Sequence, residues 1–254
     1  MSAVDADPTR ASATKPEIDE AELFRGELTP LILGGALGAR LVARSITRVQ
    51  VEGDPTAIPR AGPVILASNH ISNADAVVIG GWLTPKLGRR IHWLGKKEMF
   101  EWPVVGWMAR NGGVMPVDRG AADVEAFRLA QRVLEAGHVL MVFPEGTRSP
   151  TGELQVPKDG LAMLALRTNA TIVPIGVSNT DRVWKKGSVL PRPGGHATMR
   201  IGEPFRLAEL LPPGVSRKEA KSLATTLIMQ RIAGLLDERH RGAYAKGAGA
   251  ASSG

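Results

Sequence analysis

Six short apolar runs, separated by stretches with helical periodicity, constrain this chain more than any other feature: "PVILAS" near Val64, "IHWLG" near Ile91, "GGVMPV" near Val114, "HVLMVF" near Val139, "TIVPIGV" near Ile172 and "HATMRIG" near Thr198. Runs that are apolar throughout belong to strands covered on both faces. Their alternation with helices implies an α/β fold, a mixed, largely parallel central sheet flanked by helices. "DVEAFRLAQRVLEAG" reads as one such helix, with Asp123 as N-cap, Val124, Phe127, Ala130, Val133 and Leu134 on one side, and Gly137 as its stop. Another opens on the capping box "SRKE", Ser216 to Glu219, and carries Leu223, Leu227, Leu235 and Leu236 ahead of Gly242. The chain has 254 residues, enough for one large domain with a filled core. Four parts are expected: a disordered tail over 1–20, an amphiphilic helical segment over 21–50, a main domain over 51–242, and a second disordered tail over 243–254.

Composition narrows the chemistry. Thirty-two Lys and Arg against 25 Asp and Glu leave a net charge of +7, which favours anionic partners: phosphate esters, anionic lipid or nucleic acid. With no cysteine there are no disulfides, thiol nucleophiles or thiolate metal ligands, and five scattered histidines do not form a zinc set, so no metal is expected. Nucleic-acid binding is disfavoured: one tyrosine and five phenylalanines offer few stacking platforms, and no groove-reading motif is present. The stretch "LTPLILGGALGARLVARSI", Leu28 to Ile46, is interrupted by Arg40 and Arg44, so it suits a bilayer surface better than a bilayer crossing. The opening "MSAVDADPTRASATKPEIDE" lacks the apolar core of a signal peptide.

Three polar clusters follow successive apolar runs. In "SNHISNAD", His70 ends a strand, and Ser72 or Asn73 caps the next helix, which puts Asp75 in its first turn. Two residues so placed can face each other, the carboxylate fixing the imidazole tautomer and leaving the other nitrogen free to take a proton. Alternatively, His70 closes a loop and Asp75 answers the helix dipole. The second cluster, "FPEGTRS", brings Glu145, Gly146, Thr147 and Arg148 to the end of another strand, where open sheets bind ligands. Arg148 suits a phosphate dianion through two parallel hydrogen bonds, although a surface turn with a Glu and Arg pair also fits the pattern. In the third, "GGVMPVDR", Arg119 stands just past a strand, a position that solvated arginines also occupy.

In order and spacing, "NHISNAD" (Asn69 to Asp75), "GVMPVDR" (Gly113 to Arg119), "FPEGTRS" (Phe143 to Ser149) and "IVPIGV" (Ile172 to Val177) resemble the four blocks of the glycerophospholipid acyltransferases of the lysophosphatidate acyltransferase type, over about residues 50 to 205. The resemblance implies that His70 is the general base for attack of an acceptor hydroxyl on an acyl thioester, with Asp75 orienting it. It also implies that Arg119, Glu145, Gly146, Thr147 and Arg148 hold the acceptor phosphate and build the site, that Lys96 or Lys97 of "GKKEMF" joins them, and that Pro174 lies on the acyl-donor side. Met115 and Pro116 depart from the bulky aliphatic and aromatic residues common in the second block. Pro116 removes a backbone donor and points to an edge or strand-end position.

By the same resemblance the donor is acyl-CoA or acyl carrier protein, no cofactor is needed, and the default acceptor is a monoacylated glycerol phosphate; glycerol 3-phosphate and other lysophospholipids stay open. With neither a cysteine nor a Gly-x-Ser-x-Gly elbow, direct transfer without a covalent acyl-enzyme is the simpler mechanism. Outside the class stands a lipid hydrolase in which His70 activates water. Substrates dissolved in a bilayer imply a peripheral or monotopic protein on the cytoplasmic face of the cell membrane, with no spanning helix. Phe24, Leu28, Leu31, Ile32, Leu33, Leu37, Leu41 and Val42, with Arg25, Arg40, Arg44 and Arg48, are the residues for interfacial helices; packing of this segment on the domain is the other reading. "RVWKKG", Arg182 to Gly187, sets Trp184 among cations, as an interfacial or donor-phosphate contact or as a solvated loop.

Overall fold

All six apolar runs form strands in the computed structural model, which describes residues 24–117, 123–158 and 160–245. The strands are β2 (Val64–Ser68), β3 (Ile91–Lys96), β4 (Val114–Val117), β5 (Val139–Val142), β6 (Thr171–Ser178) and β7 (His196–Ile201). A seventh, β1 (Arg48–Glu52), completes one sheet in the order β1-β7-β6-β2-β5-β3-β4. Every neighbouring pair is parallel except β6 and β7, so β1 and β7 run against the other five. The expected mixed, largely parallel sheet is what forms. β1 reads "RVQVE", with alternating polar and apolar residues rather than a continuous run, because an edge strand needs to bury only one side. It spans position 50, where the helical segment was expected to give way to the main domain.

The helices are α1 (Pro30–Ile46), α2 (Ala74–Leu87), α3 (Pro103–Asn111), α4 (Asp123–Glu135), α5 (Gly160–Thr168), α6 (Thr180–Val183), α7 (Leu207–Leu210) and α8 (Arg217–Gly234). Period-2 alternation along β2 sorts its side chains into two cores. Val64 and Leu66 join Val78, Ile79 and Leu83 of α2 and Ala43 of α1; Ile65 and Ala67 join Ala130 and Val133 of α4, Leu161 and Leu164 of α5, and Ile228 and Ile232 of α8. β2 is buried throughout because strands flank it on both sides and helices cover both faces.

Helix details differ from the sequence expectation in instructive ways. The capping box of Ser216 and Glu219 is formed, but α8 ends at Gly234, leaving Leu235 and Leu236 beyond it. Its buried stripe is Ala224, Ile228, Met229 and Ile232, while Leu223 is exposed. Helical spacing defines a stripe, and the larger side chains do not always win it. On α4, likewise, Val124 is exposed and Ala130, Val133 and Leu134 are buried. At the C-terminal end Tyr244, expected in the tail, packs against the α8 side of the core. The tail over 1–20 and residues 246–254 lie outside the described residues.

Between Phe24 and Ile46 there is one helix rather than several. Thr29 caps it, its hydroxyl accepting from the Ile32 N–H at 3.3 Å, and Pro30 occupies the first turn, where its missing N–H costs nothing. α1 packs against α2 through Ala43 and Arg40, whose guanidinium stands 5.1 Å over the Trp82 ring. Phe24, expected in an interfacial helix, instead packs on the domain beneath Arg132. The opposite side of α1 exposes Leu31, Leu37, Leu41 and Val42. No helix among the described residues is long and apolar enough to cross a membrane.

Candidate active site

The polar clusters collect at the carboxyl ends of the parallel strands, where an open α/β sheet has its crevice. β2 ends at Ser68, and Asn69 extends its pairing with β6 by side chain. The amide Nδ2 donates to the Val177 carbonyl and Oδ1 accepts from the Val177 N–H, each at 2.8 Å. The chain then turns through His70 to Asn73 and enters α2 at Ala74, whose N–H donates to Ser72 Oγ at 2.9 Å. Of the two expected caps, Asn73 holds the N-cap position without a side-chain cap bond, and the helix starts one residue before Asp75.

Asp75 is fully buried, and four donors converge on it. Oδ2 accepts from His70 Nδ1, the Ile71 N–H and the Ser72 N–H, all at 2.8 Å, and Oδ1 accepts from Thr180 Oγ1 at 2.5 Å. An ionised carboxylate only accepts, so His70 carries its hydrogen on Nδ1 and presents Nε2 as a proton acceptor. The imidazole stacks on Phe143, centroids 4.0 Å apart and planes at 14°, and retains 20% side-chain exposure. One face is thus covered while an edge stays reachable. A strand-end histidine and a first-turn aspartate do meet, as their spacing suggested.

Glu145, after β5, clamps that arrangement. Its Oε1 accepts from the His70 N–H at 2.7 Å, and its Oε2 accepts from the N–H and Nε2 of Gln155 at 2.9 and 3.0 Å. Burial raises the pKa of this carboxyl above its ordinary value, against the opposing pull of those hydrogen bonds and of His70. With both oxygens occupied by chain donors, Glu145 shapes the loop that carries Arg148. Gly146 has φ +69, and an added Cβ would come within 2.9 Å of Lys158 Cε, so the turn requires glycine. The Ser149 N–H donates to the His70 carbonyl at 2.7 Å, binding the "FPEGTRS" loop to the turn after β2. Arg148 is half-buried and its guanidinium has no hydrogen-bond or ion-pair partner among the described residues. Thr147 is exposed, its carbonyl accepting from Gln155 at 3.2 Å.

Other expected residues are placed more loosely. Lys96 ends β3 and Lys97 follows it, both exposed, on the β5 side of His70. Arg119 lies outside the described residues. Pro116 sits in β4 at the sheet edge, paired with Gly95, where a missing donor is tolerated. Pro174 is buried within β6, paired with Ala67 and packed near Gly202. There the β6 and β7 register steps by one residue, from Ile175 opposite Ile201 to Ile172 opposite Phe205, a bulge that accepts proline.

Sequence reasoning did not reach Thr180, Gln155, Phe143 and His240. Thr180 is fully buried, just past the end of β6 beyond Asn179, whose φ is +67. The strand-end rule that singled out His70 and Glu145 applies equally to β6 and would have found it. His240 is buried between two loops of the site, Nδ1 donating to the Gly152 carbonyl and Nε2 accepting from the Asn179 N–H at 3.0 Å.

A family model described as "Acyltransferase" matches residues 48–178. A 1-acyl-sn-glycerol-3-phosphate acyltransferase of Cocos nucifera is 34% identical over 148 residues, 57% of this chain and 46% of that protein. A lyso-ornithine lipid O-acyltransferase of Pseudomonas aeruginosa is 32% identical over 142 residues, 55% of this chain and 51% of that protein. The chain spans about half the length of these curated relatives. Among solved structures, the 1-acyl-sn-glycerophosphate acyltransferase PlsC of Thermotoga maritima superposes with a TM-score of 0.61 at 27% identity, covering 77% of this chain and 76% of that one. The matched stretch runs from β1 to the end of β6 and holds His70, Asp75, Glu145 and Arg148, and the chain belongs to the acyltransferase family.

Proposed function

We propose that the chain transfers a fatty acyl group from a thioester donor, acyl-CoA or acyl carrier protein, to a hydroxyl of 1-acyl-sn-glycerol 3-phosphate, giving phosphatidic acid. The observation that carries this reading is the His70 and Asp75 pair, with Nδ1 held at 2.8 Å and Nε2 left to accept a proton. The acceptor hydroxyl gives its proton to Nε2 as its oxygen attacks the thioester carbonyl. Asp75 stabilises the imidazolium, the tetrahedral intermediate collapses with cleavage of the C–S bond, and the imidazolium returns the proton to the departing thiolate. Arg148, with Lys96 or Lys97, answers the acceptor phosphate.

Membrane association belongs to the same proposal. Leu31, Leu37, Leu41 and Val42 on α1, with Trp102, Trp107 and Met108 at and within α3, expose apolar side chains on two helices in contact with each other. Arg44, Lys96, Lys97 and Arg110 are exposed nearby in the chain and suit an anionic leaflet, each contributing on the order of 1 kcal/mol near such a surface.

The test is transfer from one acyl-CoA to a panel of acceptors, with products resolved by position. Lysophosphatidate is the expected substrate, and His70→Ala should abolish transfer while the circular dichroism spectrum stays unchanged. Full activity in that variant would end the proposal. The Pseudomonas relative supports a second acceptor, a lyso-ornithine lipid, and preference for it in the panel would replace lysophosphatidate.

A further inference from the structure

The segment from Arg182 to Arg192, running from the last turn of α6 toward β7, follows the site on the β6 side of His70, opposite Lys96 and Lys97. Arg182, Lys185, Lys186 and Arg192 line a cavity of about 300 Å3 whose far wall includes Gly152 and Ile71, the residue after His70. Asp181 also borders it, but Arg239 takes its carboxylate at 2.8 Å, so the cavity is cationic. The side chains of Arg182, Lys185 and Arg192 are exposed and have no hydrogen-bond or ion-pair partner among the described residues.

This segment is anchored to the catalytic turn. The Trp184 carbonyl accepts from Ser72 Oγ at 2.7 Å and from the Asn73 N–H at 3.3 Å, and Lys185 forms a β-bridge with Ser72. From the other side, Lys186 Nζ donates to the Arg148 carbonyl at 2.8 Å. Like charges gathered around a concavity raise its positive potential and call for an anion. Direct acyl transfer brings two anionic substrates to His70 at once, and two groups of cations stand on opposite sides of it. The group on the β5 and β3 side suits an acceptor with one phosphate.

We propose that the cavity of Arg182, Lys185, Lys186 and Arg192 binds the phosphate groups of a nucleotide acyl carrier, coenzyme A, whose flexible arm then reaches His70. This rests on the acyl-transfer reading given above. Four cations match a carrier with a pyrophosphate and a 3′-phosphate better than a ligand with a single phosphate. The concave form favours a small molecule; a protein carrier would cover a broader surface, about 800 Å2 on each partner.

Binding of free coenzyme A, followed by calorimetry, tests the proposal without turnover, so its outcome is independent of whether lysophosphatidate is the acceptor. The variant is Lys185→Glu with Arg192→Glu, which leaves Lys186 in place on the Arg148 loop. Its dissociation constant for coenzyme A should rise on the order of tenfold or more, with an unchanged melting temperature. Wild type should bind 3′-dephospho-coenzyme A more weakly than coenzyme A, and the variant should narrow that difference. In steady state the KM for acyl-CoA should rise while that for the acceptor does not. Unchanged coenzyme A affinity in the folded variant overturns the proposal. So does a rise in the acceptor KM alone, which would put the acceptor phosphate here, or a selective loss of transfer from acyl carrier protein. Failure of the acyl-transfer reading would appear separately, as no transfer by wild type to any acceptor.

Discussion

A histidine and an aspartate five positions apart form a base only when each is held in place, and here the holding groups come from elsewhere in the chain. Thr180 is 105 residues from Asp75, and its hydroxyl is the one side-chain donor shown on Oδ1. Removing a hydrogen bond to a charged group costs about 1.5–3 kcal/mol, and if that loss falls on the transition state it is roughly ten- to a hundredfold in rate. Thr180→Val should therefore lower kcat by about that factor with little change in KM. Thr180→Ser should restore kcat; an unchanged kcat in Thr180→Val with merely reduced stability would leave Thr180 a packing residue. Glu145 makes a different case. Glu145→Gln turns one amide group toward donors that now share two carboxylate oxygens, so urea unfolding should show a loss of about 1–3 kcal/mol together with lost activity. A stable variant with only a raised acceptor KM would make Glu145 a substrate ligand instead.

At the scale of elements, α1 divides its two sides between two environments. Arg40 and Ala43 meet α2, while Leu31, Leu37, Leu41 and Val42 face outward. Transfer of apolar side chains into a bilayer interface is the favourable term for binding a surface of this kind, at about 25 cal/mol per Å2 removed from water. Leu37→Asp with Leu41→Asp should therefore abolish flotation with vesicles containing anionic lipid, while leaving the melting temperature unchanged because neither residue is in the core. Flotation equal to wild type would remove α1 from the membrane contact. The sequence reading offered interfacial and packed alternatives for this segment; Arg40 and Ala43 pack on α2, and the flotation experiment tests the interfacial one. Glycine and arginine blurred the periodicity, and only the partner helix α2 defines which side is inward.

The whole molecule depends on a strut far along the chain. His240 joins Gly152, beyond the "FPEGTRS" loop, to Asn179, next to Thr180. Burial depresses its pKa below the ordinary 6.5 and Arg239 adds to the effect, against Gly152, Asp181 and Asp237. In the unfolded chain His240 takes up a proton more readily, so its contribution to stability is present above about pH 6.5 and lost as pH falls through the depressed folded value. The urea midpoint should fall between pH 7 and pH 5, and His240→Gln should flatten that slope. An identical slope in the variant would assign the effect to other groups. Asp237, also depressed, acts at lower pH, below its ordinary 3.8.

What the sequence determined by itself was local. Continuous apolar runs marked six strands, the Ser72–Asn73 pair and Ser216 marked helix starts, and the residues after the runs supplied His70, Asp75, Glu145 and Arg148. Only the tertiary structure placed β2 between β5 and β6, reversed β1 and β7, and brought Thr180, Gln155 and His240 to the site. Periodicity and capping depend on neighbours within a turn or two of the chain. The partners of Asp75 and Glu145 instead depend on which strand ends lie side by side, and that is decided by burying two apolar faces of one sheet at once.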